Sequence, residues 1–292
     1  MANSRARPAI TYLCISITMH TLPEYGIVLS GGGARGLAHI GVLAALEENG
    51  ISPELVSGSS MGAIIGAFYA AGLSPDQILH IAKNKKLYKL LNWTVPKKGG
   101  MLSLNVLRQE LANHIPEDSF ESLKKKLFIS ISNISQGQSE LFSKGPLFQA
   151  IIASASIPVV FEPQVINGQT YVDGGLFNDL PVEPLIGRCD RIIASHVNYN
   201  GPNPDLVSIR TIAERVYRMV VYQHVKKNFS DCDFIIDPPE LREHGLFDFK
   251  HIDKLFSIGY EAALAMIDAM KKPAVRHPVI IHDYKNLKKE LQ

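Results

Sequence analysis

An α/β fold of three layers, with helices on both faces of a mostly parallel central sheet, is what this sequence predicts, and two observations carry the prediction. The first is a unit of strand, glycine turn and helix that occurs twice in succession. YGIVLS at residues 25–30 runs through GGGARG into an apolar-periodic stretch at 38–48, and residues 55–57 run through GSSMG into a second such stretch at 61–71. Strand, helix, strand in that order pairs in parallel, because the crossover helix packs back on the sheet. The second is length: 292 residues suffice for one α/β domain with short extensions, a size that buries roughly 75% of the unfolded surface without staples. Residues 1–22 are therefore read as an N-terminal extension, 23–272 as the domain and 273–292 as a C-terminal tail.

The elements can be justified in order. Gly50 closes the helix at 38–48, and Gly72 closes the one at 61–71. Ser74-Pro75-Asp76-Gln77 opens the next helix, with Ser74 as N-cap, Pro75 in the first position and Gln77 three residues after the cap. Residues 83–93 (KNKKLYKLLNW) are basic and amphipathic. Helices are expected at 104–114 and 119–126, strands at 127–134 and 139–143 joined through Gly137, and a proline-initiated helix at 147–155. Asn167-Gly168 sets a hairpin of 164–166 and 169–172. A buried strand at 191–197, a long amphipathic helix at 209–227, a short strand at 234–236 stopped by Pro238-Pro239 and a helix at 252–270 follow. From Lys285 the chain is a charged tail that should fray. There is no internal repeat.

Composition narrows the function. Thirty basic against 28 acidic residues leave a net charge of +2, too weak to argue for a nucleic-acid partner. Cys14, Cys189 and Cys232 are scattered, with neither a disulfide framework nor metal-ligand spacing. They read as buried reduced thiols in a cytoplasmic protein. No apolar run reaches the roughly 18 residues that a membrane span needs. Lys83, Lys85, Lys86 and Lys89 beside Leu87, Leu90, Leu91 and Trp93 suit either a peripheral contact with an anionic membrane or a solvated helix face. At the N-terminus, Arg5 and Arg7 precede an apolar run that Thr11, Ser16 and Thr18 interrupt, and no small-residue cleavage site follows. A start at Met19 explains the first residues better than export does, so residues 1 to about 20 should be dispensable.

The chemistry sits at three glycine motifs. Gly31, Gly33 and Gly36 formally match a dinucleotide fingerprint, but Glu54 precedes the second strand and stands at the wrong end to reach a ribose. What remains is a run of unobstructed backbone N–H groups at a helix start, which stabilises an anion, either a phosphate or the oxyanion of an acyl intermediate. Arg35 adds charge or braces that loop. Gly58-Ser59-Ser60-Met61-Gly62 matches G-x-S-x-G between a strand and a helix. A nucleophile on such a turn needs small flanking residues, because the backbone approaches itself there. A plain turn with a capping serine would write the same five residues. Gly62, Gly66 and Ala70 form a small stripe that lets the helix lie close to the sheet. The third motif is Asp173-Gly174-Gly175, which closes a strand. None of the late histidines sits at an evident strand-end loop, and His39 reads as structural.

Together these residues resemble the patatin-like phospholipase family. Gly31 to Gly36, with Gly31, Gly32, Gly33 and Arg35, looks like its oxyanion-hole motif; Gly58 to Gly62 looks like its nucleophile elbow; Asp173-Gly174-Gly175 looks like its dyad motif. Ala153-Ser154-Ala155-Ser156-Ile157-Pro158, Asn178 and Pro181 extend the likeness, which within the family is greatest to compact bacterial members related to the neuropathy target esterase domain. The resemblance implies a patatin-like fold, and a serine acyl-ester hydrolase acting on lipid esters or phospholipids. It implies Ser60 as nucleophile, Asp173 as base without a histidine, and no cofactor or metal. A regulator that keeps the fold without turnover, and a nucleotide-binding α/β protein, are the rival readings.

Overall fold

The computed structural model describes residues 24–84, 104–202, 207–271 and 278–281. Within them the strands are β1 (Tyr25–Leu29), β2 (Leu55–Ser59), β3 (Lys126–Asn133), β4 (Gln138–Phe142), β5 (Gln164–Ile166), β6 (Gln169–Val172), β7 (Arg191–Ser195), β8 (Phe234–Ile236) and β9 (Val279–Ile281). The helices are α1 (Ala38–Glu48), α2 (Met61–Ala70), α3 (Pro75–Ala82), α4 (Asn105–His114), α5 (Leu147–Ser154), α6 (Gly175–Asn178), α7 (Ile209–Asn228) and α8 (Ile252–Met270). The strands form one sheet in the order β5-β6-β3-β2-β1-β7-β8-β9, with β4 also on β3. From β3 to β9 every pairing along that path is parallel, and β4, β5 and β6 add antiparallel pairings at the other end.

Strand alternation builds the three layers. Ile27 and Leu29 of β1, Ile193 of β7, and Phe234 and Ile236 of β8 enter one core beneath α1, α2 and α8. Val28, Ala194 and Ile235, one residue out of phase, enter a second core with Val221 and Val225 of α7. Period-two side chains with apolar residues in both phases require cover on both faces. Cys189 and Cys232 are buried free thiols of the second core, and burial pushes the Cys232 thiol up to about 12.

The sequence and the structure part in two places. Residues 119–126 are not a helix. Ser119 caps a single 3-10 turn, Phe120–Ser122, by accepting from Glu121 N at 3.1 Å. Lys126 is already extended, because it pairs with Leu55 at the start of the β2–β3 ladder. The segment 273–292, read as tail, contributes β9, whose Val279–Ile281 covers the β8 edge in parallel; three β-branched residues are too short a run to announce a strand. The predicted capping box at Ser74 and Gln77 is formed. Residues 1–22 with Met19, nearly all of 83–93, and the chain from Lys285, for which expectations were stated above, lie outside the described residues.

α1 and α8 cross at two reciprocal glycines. A Cβ on Gly259 would lie 2.0 Å from Ala38 O, and one on Gly41 2.0 Å from Phe256 O. Backbone cannot yield as a flexible side chain does, so Gly259→Val should destabilise the protein by about 3 kcal/mol or more. Urea unfolding monitored by circular dichroism measures this, and an unchanged midpoint would refute the close crossing.

Candidate active site

The site exists because two strands share one edge of β3 end to end. β2 pairs with β3 up to Ser59↔Ser130. β6 runs the opposite way and pairs through Val172↔Ser132 and Tyr171↔Asn133. β4 takes Ser132 and Asn133 on the other edge, so β6 must lie in line with β2. Both strands therefore stop facing each other, and the next residues are Ser60 and Asp173. The C-terminal end of α5 fills the junction: Ser154 Oγ accepts from Ser60 N at 2.9 Å and donates to Ser130 O at 2.7 Å. Asp173 N donates to Ser156 O at 2.8 Å.

Ser60 stands at φ 51, a left-handed backbone conformation uncommon for a residue with a Cβ. The turn is tight enough to exclude side chains beside it. A Cβ on Gly62 would lie 2.2 Å from Leu29 O, and one on Gly58 2.7 Å from the Gly62 carbonyl carbon. Gly66 continues that close approach against Val56. Ser60 Oγ donates to Asp173 Oδ2 at 2.6 Å, across 113 residues of chain. Asp173 Oδ1 accepts from Gly175 N at 2.8 Å, and a Cβ on Gly174 would meet Ser130 O at 2.0 Å. Asp173 is 3% exposed. Burial pushes its carboxyl up to about 7, against the opposing pull of the Ser60 hydroxyl and Gly175 N–H, with the Asp179 charge adding to the rise. Among the described residues no imidazole bonds to either group. His39 is buried with Nε2 2.8 Å from Ser30 O and Nδ1 2.7 Å from Ser195 Oγ. Burial pushes it down to about 4, so it is neutral and Nε2–H donates to the carbonyl. It is a structural group on the far side of β1.

The glycine loop faces the same space, although its members do different things. Gly31 N–H is committed to Asp179, at 3.0 Å from Oδ1 and 3.3 Å from the carbonyl; it shapes the turn and is not a donor to the site, which corrects its place in the expected oxyanion hole. Gly32 and Gly33 have φ of 147 and 56 and line the cavity. Arg35 is 1% exposed. Its guanidinium donates to Asn198 Oδ1 at 2.8 Å, His244 O at 3.2 Å and Glu214 Oε1 at 3.3 Å, so of its two predicted uses it braces. Asn198 Nδ2 ties the loop to the sheet end through Gly31 O at 3.1 Å and Asp179 Oδ2 at 3.0 Å. The loop after β8 closes over it, with Leu246 O accepting from Ala34 N at 2.8 Å. Glu54, rejected above as a ribose ligand, pairs with Lys125 at 2.7 Å, at the other end of β2.

A cavity of about 410 Å³ opens over Ser60 and Asp173. Its walls include Ile157, Val160, Tyr217, Val221 and Phe247, with Asp179, His196 and Arg218 as further polar groups. Sequence reasoning missed Asp179, Asn198, His196 and Arg218, and it quoted Ser154 and Ser156 without a role. His196 carried no motif: its Nδ1 meets Asp237 Oδ1 at 2.8 Å inside the core. Asn178 does not reach the cavity. Its side chain braces the end of α7 through Asn228 and Glu183. His244, Asp248 and His251 form a trio of metal-ligand type among the described residues. Both imidazoles place Nδ1 within 2.7–2.9 Å of the Asp248 carboxylate, so as it stands the trio is a hydrogen-bonded clamp on the closing loop.

Fold and site together define an α/β protein with a buried serine–aspartate pair where two sheet strands meet. Residues 27–186 match the patatin-like phospholipase family. An uncharacterized NTE family protein of Mycobacterium tuberculosis is 34% identical over 204 residues, 68% of this chain and 56% of that protein. The lysophospholipase NTE1 of Mycosarcoma maydis is 26% identical over 276 residues, 83% of this chain and 15% of that protein. The structure of the Pseudomonas aeruginosa ExoU–SpcU complex aligns at TM-score 0.45 and 20% identity, over 85% of this chain and 52% of that one. The chain belongs to the patatin-like phospholipase family, and it spans about half the length of the mycobacterial relatives it matches.

The Asp173 shift has a consequence for stability. Its carboxyl rises from 3.8 when unfolded to about 7 when folded. Between those values the folded state holds more of this proton, so stability present below the lower value is lost as pH rises through the upper one. Asp173→Asn has no such loss. Its stability relative to the wild type should climb between about pH 4 and about pH 7 in paired urea titrations. A difference independent of pH would contradict the raised carboxyl.

Proposed function

We propose that the chain is a serine acyl-ester hydrolase of lipid esters, of the phospholipase A, lysophospholipase or carboxylesterase type, working through Ser60 and Asp173. The observation that carries this is the 2.6 Å bond from Ser60 Oγ to a carboxylate raised to about 7. An ordinary aspartate, near 3.9, is a poor base for a hydroxyl. One tuned to neutrality is suited to the task. Ser60 Oγ loses its proton to Asp173 as it attacks the ester carbonyl, and Asp173 returns it to the departing alkoxide. Water then adds to the acyl-serine, giving its proton to Asp173, which passes it to Ser60 Oγ as the acyl C–O bond breaks and the carboxylic acid is released. The Gly32 and Gly33 N–H groups receive the oxyanion. This work needs no cofactor or metal. An intact pair of groups held in this way speaks against a regulator without turnover, and Glu54 at the wrong strand end speaks against nucleotide binding.

Ser60→Ala and Asp173→Asn should each lower kcat/KM on a p-nitrophenyl ester by about a thousandfold, and the double variant should lose little more, because the two residues act as a unit. Because Asp173 must be ionised to accept the proton, kcat/KM should rise as pH passes about 7. Turnover that survives Asp173→Asn but not the loss of one histidine would reassign the base.

We infer a peripheral contact with a lipid surface from the outer face of α7. Ile209, Ile212, Val216, Met219 and Val220 are 88%, 46%, 54%, 46% and 52% exposed, at the three-to-four-residue spacing of one helical stripe. The inner face of the same helix walls the cavity through Tyr217 and Val221. An apolar stripe backing the substrate space fits a bilayer that delivers acyl chains. No described helix is long and apolar enough to cross one. Ile212→Asp with Val216→Asp should reduce co-sedimentation with phospholipid vesicles about tenfold or more. Undiminished sedimentation would place the contact elsewhere.

A further inference from the structure

Arg218 is a cation that forms no ion pair among the described residues and feels, of their carboxylates, the field of Glu214. It is 7% exposed, and its Nε has no hydrogen-bond partner among the described residues. Its side chain lines the cavity that holds Ser60. Glu214, whose field acts on it, already bonds Arg35 at 3.3 Å. Arg215, the other cation nearby, is occupied by Asn200 and by Gly201 O. Two guanidiniums, Arg35 and Arg218, thus stand in the cavity wall beside one glutamate. The repulsion is felt at Arg35, which burial and then Arg218 push down to about 10. A buried charge left unpaired is costly, and such a charge facing a cavity calls for an anionic occupant. A guanidinium fork suits the paired oxygens of a phosphate.

We propose that Arg218 is the phosphate subsite of this protein, receiving the phosphodiester of a phospholipid or lysophospholipid whose acyl carbonyl lies at Ser60. The proposal rests on the hydrolase reading and narrows it to substrates whose head group carries a phosphodiester. The carbonyl under attack must sit at Ser60, and Arg218 bonds neither Asp173 nor Asp179 among the described residues. The anion it takes therefore belongs to another part of the same molecule. The surrounding wall is apolar and aromatic, with Tyr217, Val221, Tyr222 and Phe247, so the cationic fork is the feature that would separate a phospholipid from a neutral glyceride.

Two measurements on the full chain test this. In the first, sn-glycero-3-phosphate is titrated calorimetrically into the Ser60→Ala protein. It should bind, Arg218→Gln should weaken it roughly tenfold or more, and Arg218→Lys should recover part of the loss. Inorganic phosphate should bind more weakly than the glycerol ester. No binding, binding unaffected by Arg218→Gln, or a preference for inorganic phosphate would overturn the assignment to a lipid head group. In the second, kcat/KM is compared between a lysophosphatidylcholine and a monoacylglycerol of the same acyl chain. The ratio should favour the phosphodiester and fall roughly tenfold in Arg218→Gln; an unchanged ratio overturns the proposal. Thermal unfolding guards against a purely structural role. Without ligand, Arg218→Met should melt no lower than the wild type, because it removes an uncompensated charge, and a marked drop would make Arg218 a structural residue. Ester turnover that survives Ser60→Ala would defeat the hydrolase reading, whereas the calorimetry is read without turnover.

Discussion

The interruption on one edge of β3 is the constraint on which everything else depends. Two strands of opposite direction share that edge, and neither occupies the register between Ser130 and Ser132. A continuous neighbour would have satisfied the ladder there. Instead the junction needs polar groups from outside the sheet, because unpaired buried backbone costs about as much as a lost hydrogen bond. Ser154 at the end of α5 and the Ser156 carbonyl just beyond it supply them. The positions on either side of the gap are the two places where a serine and an aspartate can meet without a loop long enough to be mobile. The 2.6 Å contact between them is thus a property of sheet topology more than of either motif.

Holding ionisable groups in that junction raises a second demand. Asp173, Asp179 and Arg35 are all at most 3% exposed. Burial pushes both carboxyls up, and the structure answers the two differently. Asp179 accepts from Gly31 N and Asn198 Nδ2 and lies in the fields of His196 and Arg35. Asp173 receives one backbone N–H and one hydroxyl. Asp179 anchors the glycine loop, while Asp173, bonded to the Ser60 hydroxyl, is pushed up to about 7. Two aspartates six residues apart in sequence, each with two donors, thereby acquire separate tasks from what those donors belong to, a nucleophile's hydroxyl in one case and the glycine loop in the other.

How much of this could be read in advance follows from the range of each cause. The elbow and the D-G-G turn were legible because their glycines are forced locally, with Gly62 against Leu29 O and Gly174 against Ser130 O. The hairpin at Asn167-Gly168 and the Ser74 cap were legible for the same reason: their partners lie within a few residues. Asp179 was passed over between two noticed neighbours, since its partner Gly31 is 148 residues away. Nothing local distinguishes a loop-anchoring aspartate from one that ends a turn. Residues 119–126 failed in the opposite sense. Their composition suits a helix, but the β2 edge claims Lys126, and ladder pairing outweighs a weak propensity. The role of Gly31 was misjudged because a glycine run shows that N–H groups are unobstructed without showing which are already taken.

α7 shows most plainly why pattern alone underdetermines function. Its twenty residues are amphipathic, and the usual inference turns the apolar stripe toward the core. Only the last eight residues obey, with Val221 and Val225 buried at 4% and 1%. In the first half the aliphatic residues face outward, while Glu214, Tyr217 and Arg218 face the cavity. One helix thus packs as an ordinary layer over β7 at its C-terminal end and inverts its polarity where it covers Ser60. An inversion of that kind lowers stability twice, by exposing aliphatic surface and by burying charge, and local consistency would normally remove both. Both departures fall on the one stretch of helix that separates the serine–aspartate pair from the surface. The same stretch therefore presents an apolar exterior and a charged interior to anything that approaches the pair, the order in which an amphiphile would meet them.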